Sequence, residues 1–164
     1  MSFMTAVDRT ILTVSAFQGG IGAACSVRTP CGPRRIELVR PGDLIVTRDC
    51  GLQPVRMIFR RTLSAQILRE NTSLAPVCLT PRSVGPMMPQ RKMHLSPDHR
   101  ILVPGWRLFG MDEQQSCLIP SKLVADATDA AFYDHAQEEV TYFHLVFDSH
   151  QIFCLNGLPV ESFL

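Results

Sequence analysis

From Arg34 onward the chain alternates short apolar runs with turn signals, a pattern that predicts an all-β fold. Pro41-Gly42-Asp43 predicts a turn and Leu44-Ile45-Val46-Thr47 a strand, before Asp49-Cys50-Gly51 turns the chain again. Val55 to Phe59 predicts a second strand, so 44–47 and 55–59 are expected to form a hairpin. Ser64 to Glu70 predicts a short helix capped by Thr62 or Ser64, with Ile67 and Leu68 facing inward. Strand resumes at Pro76 to Thr80. Gly85, Pro86 and Pro89 then make 83–90 a loop. Met93 to Ser96 and Arg100 to Val103 predict strands on either side of a Pro97-Asp98 corner. Cys117 to Pro120 is expected to lead into a second short helix at 121–125. The end reads as a hairpin of Val140–Asp148 and Gln151–Leu155. A tight Asn156-Gly157 turn follows, then Pro159 to Phe163.

Composition narrows the class. At 164 residues the chain holds one domain with a real core, and 46% hydrophobic against 19% charged residues is globular rather than disordered. A formal net charge of +1 argues against a nucleic-acid partner. No apolar run reaches the ~18 residues of a membrane helix. The run Ile11 to Phe17 has only Arg9 as a nearby basic residue, which is unlike a secretory signal, so the cytoplasm is the expected compartment. The six cysteines contain no Cys-x-x-Cys pair. They are expected to be reduced and mostly buried, with no metal and no cofactor.

Candidate chemistry gathers on Cys25, Ser96, Asp98, His99, His144 and His150. Histidine moves protons near neutral pH, and cysteine is the strongest side-chain nucleophile available there. Ser96-Pro97-Asp98-His99 sets a histidine at the end of a corner between strands, where sites are commonly built. The competing reading is that His99 merely hydrogen-bonds across a β-turn, that His150 is a turn residue, and that His144 is a strand residue facing solvent.

Three stretches are similar in order and separation to a known module. Thr29-Pro30-Cys31-Gly32 followed by Glu37 and Pro41-Gly42-Asp43 resembles the opening of the Hint (hedgehog/intein) family. Ser96-Pro97-Asp98-His99 resembles its Thr-x-x-His block. Phe143 to His150, followed by Phe153-Cys154-Leu155-Asn156-Gly157, resembles its closing strand, histidine and turn. The resemblance covers residues 20–164 and leaves 1–19 as an N-terminal extension. It implies an all-β, horseshoe-like fold with one or two short helices and with its terminal strands close together. It also implies autoprocessing, at most a single-turnover self-cleavage. A first-position cysteine attacks the preceding carbonyl to give a thioester. The Thr-x-x-His histidine, here His99, polarises that peptide and protonates the departing amine, with Ser96 helping to hold the strained amide. In splicing members a terminal His-Asn pair then frees the other end.

The sequence departs from that pattern twice. Aligning Thr29-Pro30 places Gly20 at the nucleophile position and Cys25 where the family carries a threonine. Glu161-Ser162 stand where splicing members have His-Asn, so no asparagine is there to cyclise. The expected function is a degenerate autoprocessing module that cannot splice. The alternative is residual self-cleavage by an acyl shift at Cys25, assisted by His99. An unrelated hydrolase or metal protein is a third class. A monomer is expected, and the sequence specifies no protein partner.

Overall fold

The computed structural model of the chain describes residues 19–105 and 115–163. The apolar run at 11–17 lies outside the described residues. Among the described residues fourteen strands carry the fold. In chain order the first six are β1 (Ile21–Gly22), β2 (Ser26–Thr29), β3 (Gly32–Arg35), β4 (Leu44–Val46), β5 (Leu52–Pro54) and β6 (Met57–Leu63). After helix α1 (Ala65–Glu70) come β7 (Val77–Leu79), β8 (Met93–Leu95), β9 (Arg100–Pro104) and β10 (Ser116–Pro120). Helix α2 (Lys122–Ala127) precedes β11 (Ala131–Tyr133), β12 (Val140–Val146), β13 (Ile152–Leu155) and β14 (Leu158–Glu161). The all-β expectation with short helices therefore holds.

The strands form two six-stranded sheets, ordered β11-β7-β8-β1-β12-β6 and β10-β9-β14-β13-β2-β3, with β4-β5 as a separate pair. Neighbouring strands run antiparallel. The larger apolar cluster draws on both sheets, with Ile21, Leu95 and Leu145 from one and Val27, Ile101 and Phe153 from the other. Burying one face of each sheet against the other is what stabilises such an arrangement. A smaller cluster of Leu63, Leu68, Val140 and Tyr142 lies under α1.

Turn chemistry accounts for the local choices. Asn156 and Gly157 both have positive φ, 48° and 83°, the combination a two-residue primed turn requires. The Asn156 side-chain oxygen also accepts from the Ser26 N–H at 2.9 Å, which ties this turn to β2. In Pro41-Gly42-Asp43 the Asp43 carboxylate accepts from the Arg40 N–H at 2.9 Å and from Arg34 at 2.7 Å. The Ser64 hydroxyl caps α1 by accepting from the Ile67 N–H at 3.4 Å.

Several expectations are corrected. The hairpin partner of β4 is Leu52–Pro54, not 55–59. Thr47 closes a short turn, its N–H and hydroxyl both bonding the Gly51 carbonyl, and this sets 52–54 opposite 44–46. Arg56 then donates to the Val146 carbonyl at 2.7 Å, and Met57–Leu63 pairs with β12 along its whole length. In α1 only Leu68 faces inward, while Ile67 is 40% exposed. Adjacent positions lie roughly 100° apart around a helix, and here Leu68 takes the inward side while Ile67 turns toward solvent. No disulfide joins the cysteines, but only Cys25 and Cys78 are buried, and Cys31 and Cys50 are exposed. Cys31 sits in the β2–β3 turn and Cys50 in the β4–β5 turn, where no core covers them.

Phe153 is 1% exposed and stacks at a tilt on Phe147 at 5.8 Å between the sheets. Phe153→Ala is expected to lower stability by about 3–5 kcal/mol. Urea unfolding would show this as a lower midpoint at unchanged slope, and an unchanged midpoint would contradict the assigned core.

Candidate functional site

The corner between β8 and β9 is built by its own backbone and by the start of α2. The His99 N–H donates to the Ser96 carbonyl at 3.0 Å, closing the turn. The Ser121 hydroxyl, fully buried, donates to that same carbonyl at 2.8 Å, and the Ser121 N–H donates to the His99 carbonyl at 2.9 Å. Asp98 points outward to an ion pair with Lys122. This bonding orients the His99 ring, which is 4% exposed.

Both ring nitrogens of His99 are engaged. Nδ1 accepts from the Gly20 backbone N–H at 3.1 Å, and Nε2 lies 3.0 Å from the Glu161 carbonyl. A ring nitrogen that accepts from an amide carries no proton, so Nε2 is the protonated one and donates to Glu161. Burial pushes the His99 pKa down to about 4, against the pull of Glu161, and the ring is neutral at physiological pH. The Ser96 N–H donates to the Gly20 carbonyl at 2.9 Å, so the corner grips Gly20 from both sides.

His144 approaches the same peptide from β12. It is 3% exposed rather than solvent-facing, because β12 is flanked by β1 and β6 and buried along most of its length. Its ring packs edge-on against Phe163 at 5.7 Å. Burial pushes its pKa down to about 4, aided by His99 and Arg61, while the Gly19 carbonyl acts in the opposite direction. The Gly19-Gly20 peptide therefore has one imidazole at its amide nitrogen and a second facing its carbonyl.

Cys25 and His150 are placed elsewhere. Cys25 is 1% exposed in the core, its sulfur 4.0 Å from the His94 carbonyl. Burial pushes its thiol up to about 12, so almost no thiolate is present near neutral pH. His150 lies in the turn after β12 and contacts the Glu161 carboxylate at 3.1 Å. That carboxylate also takes a two-pronged pair from Arg100, at 2.8 and 2.6 Å. Against the burial that would raise it, Arg100 and His150 hold the Glu161 pKa below the usual carboxylate range. Ser162 is buried. Its hydroxyl accepts from the Gln151 N–H at 2.9 Å and donates to the Phe163 carbonyl at 3.2 Å.

Two residues of this arrangement were not legible as candidates. Glu161 serves His99 through its carbonyl and Arg100 and His150 through its carboxylate, from 61 positions beyond Arg100. Tyr142 covers Gly20, and only the Gly19-Gly20 pair in the sequence hints that something large sits over it. Among the described residues, no group of three or more histidine, cysteine or acidic side chains could hold a metal ion. No described helix is long and apolar enough to cross a membrane.

The chain belongs to the Hint domain family, whose model matches residues 22–164. Among solved structures it is similar to the gp41-1 intein, with TM-score 0.51 and 13% identity over 87% of this chain and 97% of that one. It is also similar to a GSH-linked, splice-inactive variant of the AceL NrdHF class 3 split intein. That likeness has TM-score 0.50 and 11% identity, over 87% of this chain and 96% of the other. At these identities the likeness shows a shared fold. No curated protein matches the chain.

Two buried neutral histidines make stability depend on pH. Both bind a proton less readily when folded, with values near 4 against about 6.5 in an unfolded chain. Between those values the unfolded state holds more protons, so stability is greatest above pH 6.5 and falls as pH drops toward 4. Each histidine alone contributes on the order of 3 kcal/mol across that window. Glu161 stays ionised through most of it. Urea midpoints measured from pH 7.5 to 5 should fall, and His99→Gln should flatten the slope. A flat wild-type profile would refute the neutral, buried assignment.

Proposed function

We propose that this Hint module has lost self-cleavage and splicing and works as a non-catalytic β-rich module. The observation that carries the reading is the contact of His99 Nδ1 with the Gly20 N–H at 3.1 Å. The proton-transferring imidazole is thereby set on a peptide whose following residue has no side chain. An acyl shift needs a thiol or hydroxyl on that residue, and glycine offers neither.

Cys25 does not supply the missing group. Its thiol is buried against the His94 carbonyl, with its ionisation suppressed, while His99 is committed to Gly20 and Glu161. Release at the other end would need an asparagine amide attacking its own carbonyl. Ser162 has no such group, and its hydroxyl is held by Gln151 and Phe163. On this reading Ser96, His99 and His150 remain as hydrogen-bonding groups that join the corner to the two ends of the module.

The test is intact mass. The purified chain should keep its full length during prolonged incubation with dithiothreitol, and a protein fused after Leu164 should stay attached. A fragment ending at Ala24, lost in Cys25→Ala, would instead establish the acyl shift at Cys25. Release of the fused partner without added protease would overturn the loss of splicing.

A further inference from the structure

Tyr142 stands in the space that a side chain on residue 20 would need. A Cβ built on Gly20 would lie 2.5 Å from Tyr142 Cβ, 2.8 Å from Cγ and 3.0 Å from Cδ1. Gly20 also has φ +153°, which suits glycine better than other residues. Tyr142 cannot readily withdraw. It is 4% exposed, packs with Leu63, Leu68 and Val140, and its hydroxyl donates to the Leu74 carbonyl at 3.0 Å. Its Cβ belongs to β12, which is fixed by β1 on one side and β6 on the other.

Beneath that side chain the peptide is still gripped. His99 holds the Gly20 nitrogen, the Ser96 N–H holds the Gly20 carbonyl, and His144 faces the Gly19 carbonyl. These are the positions from which a proton can be delivered to a departing amine and a carbonyl can be polarised. We infer that the module retains a latent acyl-shift centre at the Gly19-Gly20 peptide, and that Tyr142 adds a steric block to the backbone strain any side chain at residue 20 would carry. The inference rests on the proposed loss of self-cleavage and assigns a second, steric cause to it.

The chemistry of reopening is defined. A thiol introduced at residue 20 reaches the Gly19 carbonyl carbon through a five-membered ring. The sulfur–carbon bond forms and the Gly19 carbon–nitrogen bond breaks. The thiol proton passes by way of His99 Nδ1 to the departing nitrogen, leaving a thioester and a free amine. Added dithiothreitol then attacks the thioester, carries off the acyl segment ending at Gly19 and restores the introduced thiol.

The experiment compares wild type, Gly20→Cys, Gly20→Cys/Tyr142→Gly and the milder Gly20→Cys/Tyr142→Ala. Each is checked for cooperative thermal melting, then incubated with dithiothreitol and weighed intact. The expected result is loss of the segment ending at Gly19 from most of the Tyr142→Gly double variant. Less should be lost from the Tyr142→Ala double, and none from Gly20→Cys alone. Adding His99→Gln to the reactive double variant should abolish release while the fold persists. Equal release from Gly20→Cys and the double variants would overturn the inference. So would double variants that melt cooperatively yet release nothing, or double variants that fail to fold. Release from the wild-type chain bears on the proposed function alone, because the role of Tyr142 is decided by the single variant against the doubles.

Discussion

His99 is the point at which the two ends of the described chain meet. Its Nδ1 accepts from Gly20, at the entry to the first strand, and its Nε2–H donates to Glu161, at the end of the last. Both bonds require the neutral ring in a single tautomer, and burial keeps it neutral. A buried imidazole without these partners would bear the cost of an unsatisfied polar group, about 1–3 kcal/mol. The ring therefore serves as a structural tie whether or not it transfers a proton. The corner that carries it is braced in turn by the buried Ser121 hydroxyl. One side chain thus ties both ends of the described chain to the corner.

Around that tie, β12 sets what the peptide at 19–20 can do. The strand is flanked on both edges and buried through Tyr142, Phe143, His144 and Leu145, so its side chains have little freedom to move. Tyr142 and His144 are two positions apart and so share a face of the strand. One denies space to a side chain on residue 20, and the other faces the Gly19 carbonyl. The same packing that stabilises the sheet thus leaves room for glycine at residue 20 and for little else.

The far end is held by a comparable set of bonds. Glu161 joins His99, Arg100 and His150 into one network, and Ser162 joins Gln151 to Phe163. Both residues are saturated with local partners. These hydrogen bonds order residues 161–163 against β13 and the corner.

The sequence by itself determined the class of the fold, because turn signals and short apolar runs are local properties. Pro41-Gly42-Asp43, Asn156-Gly157 and the Ser64 cap each act within a few residues, and each forms as read. It also determined that residue 20 is a glycine and residue 162 a serine, the two positions on which the proposed loss of cleavage and splicing rests. Tertiary structure decided the rest. Met57–Leu63 left the expected hairpin for β12, and His144 became buried, because pairing partners far apart in sequence compete on total burial rather than local pattern. Glu161 beside Arg100 and Tyr142 above Gly20 are meetings across 61 and 122 positions. A linear pattern carries no record of such contacts, which arise only when two sheets close on one core.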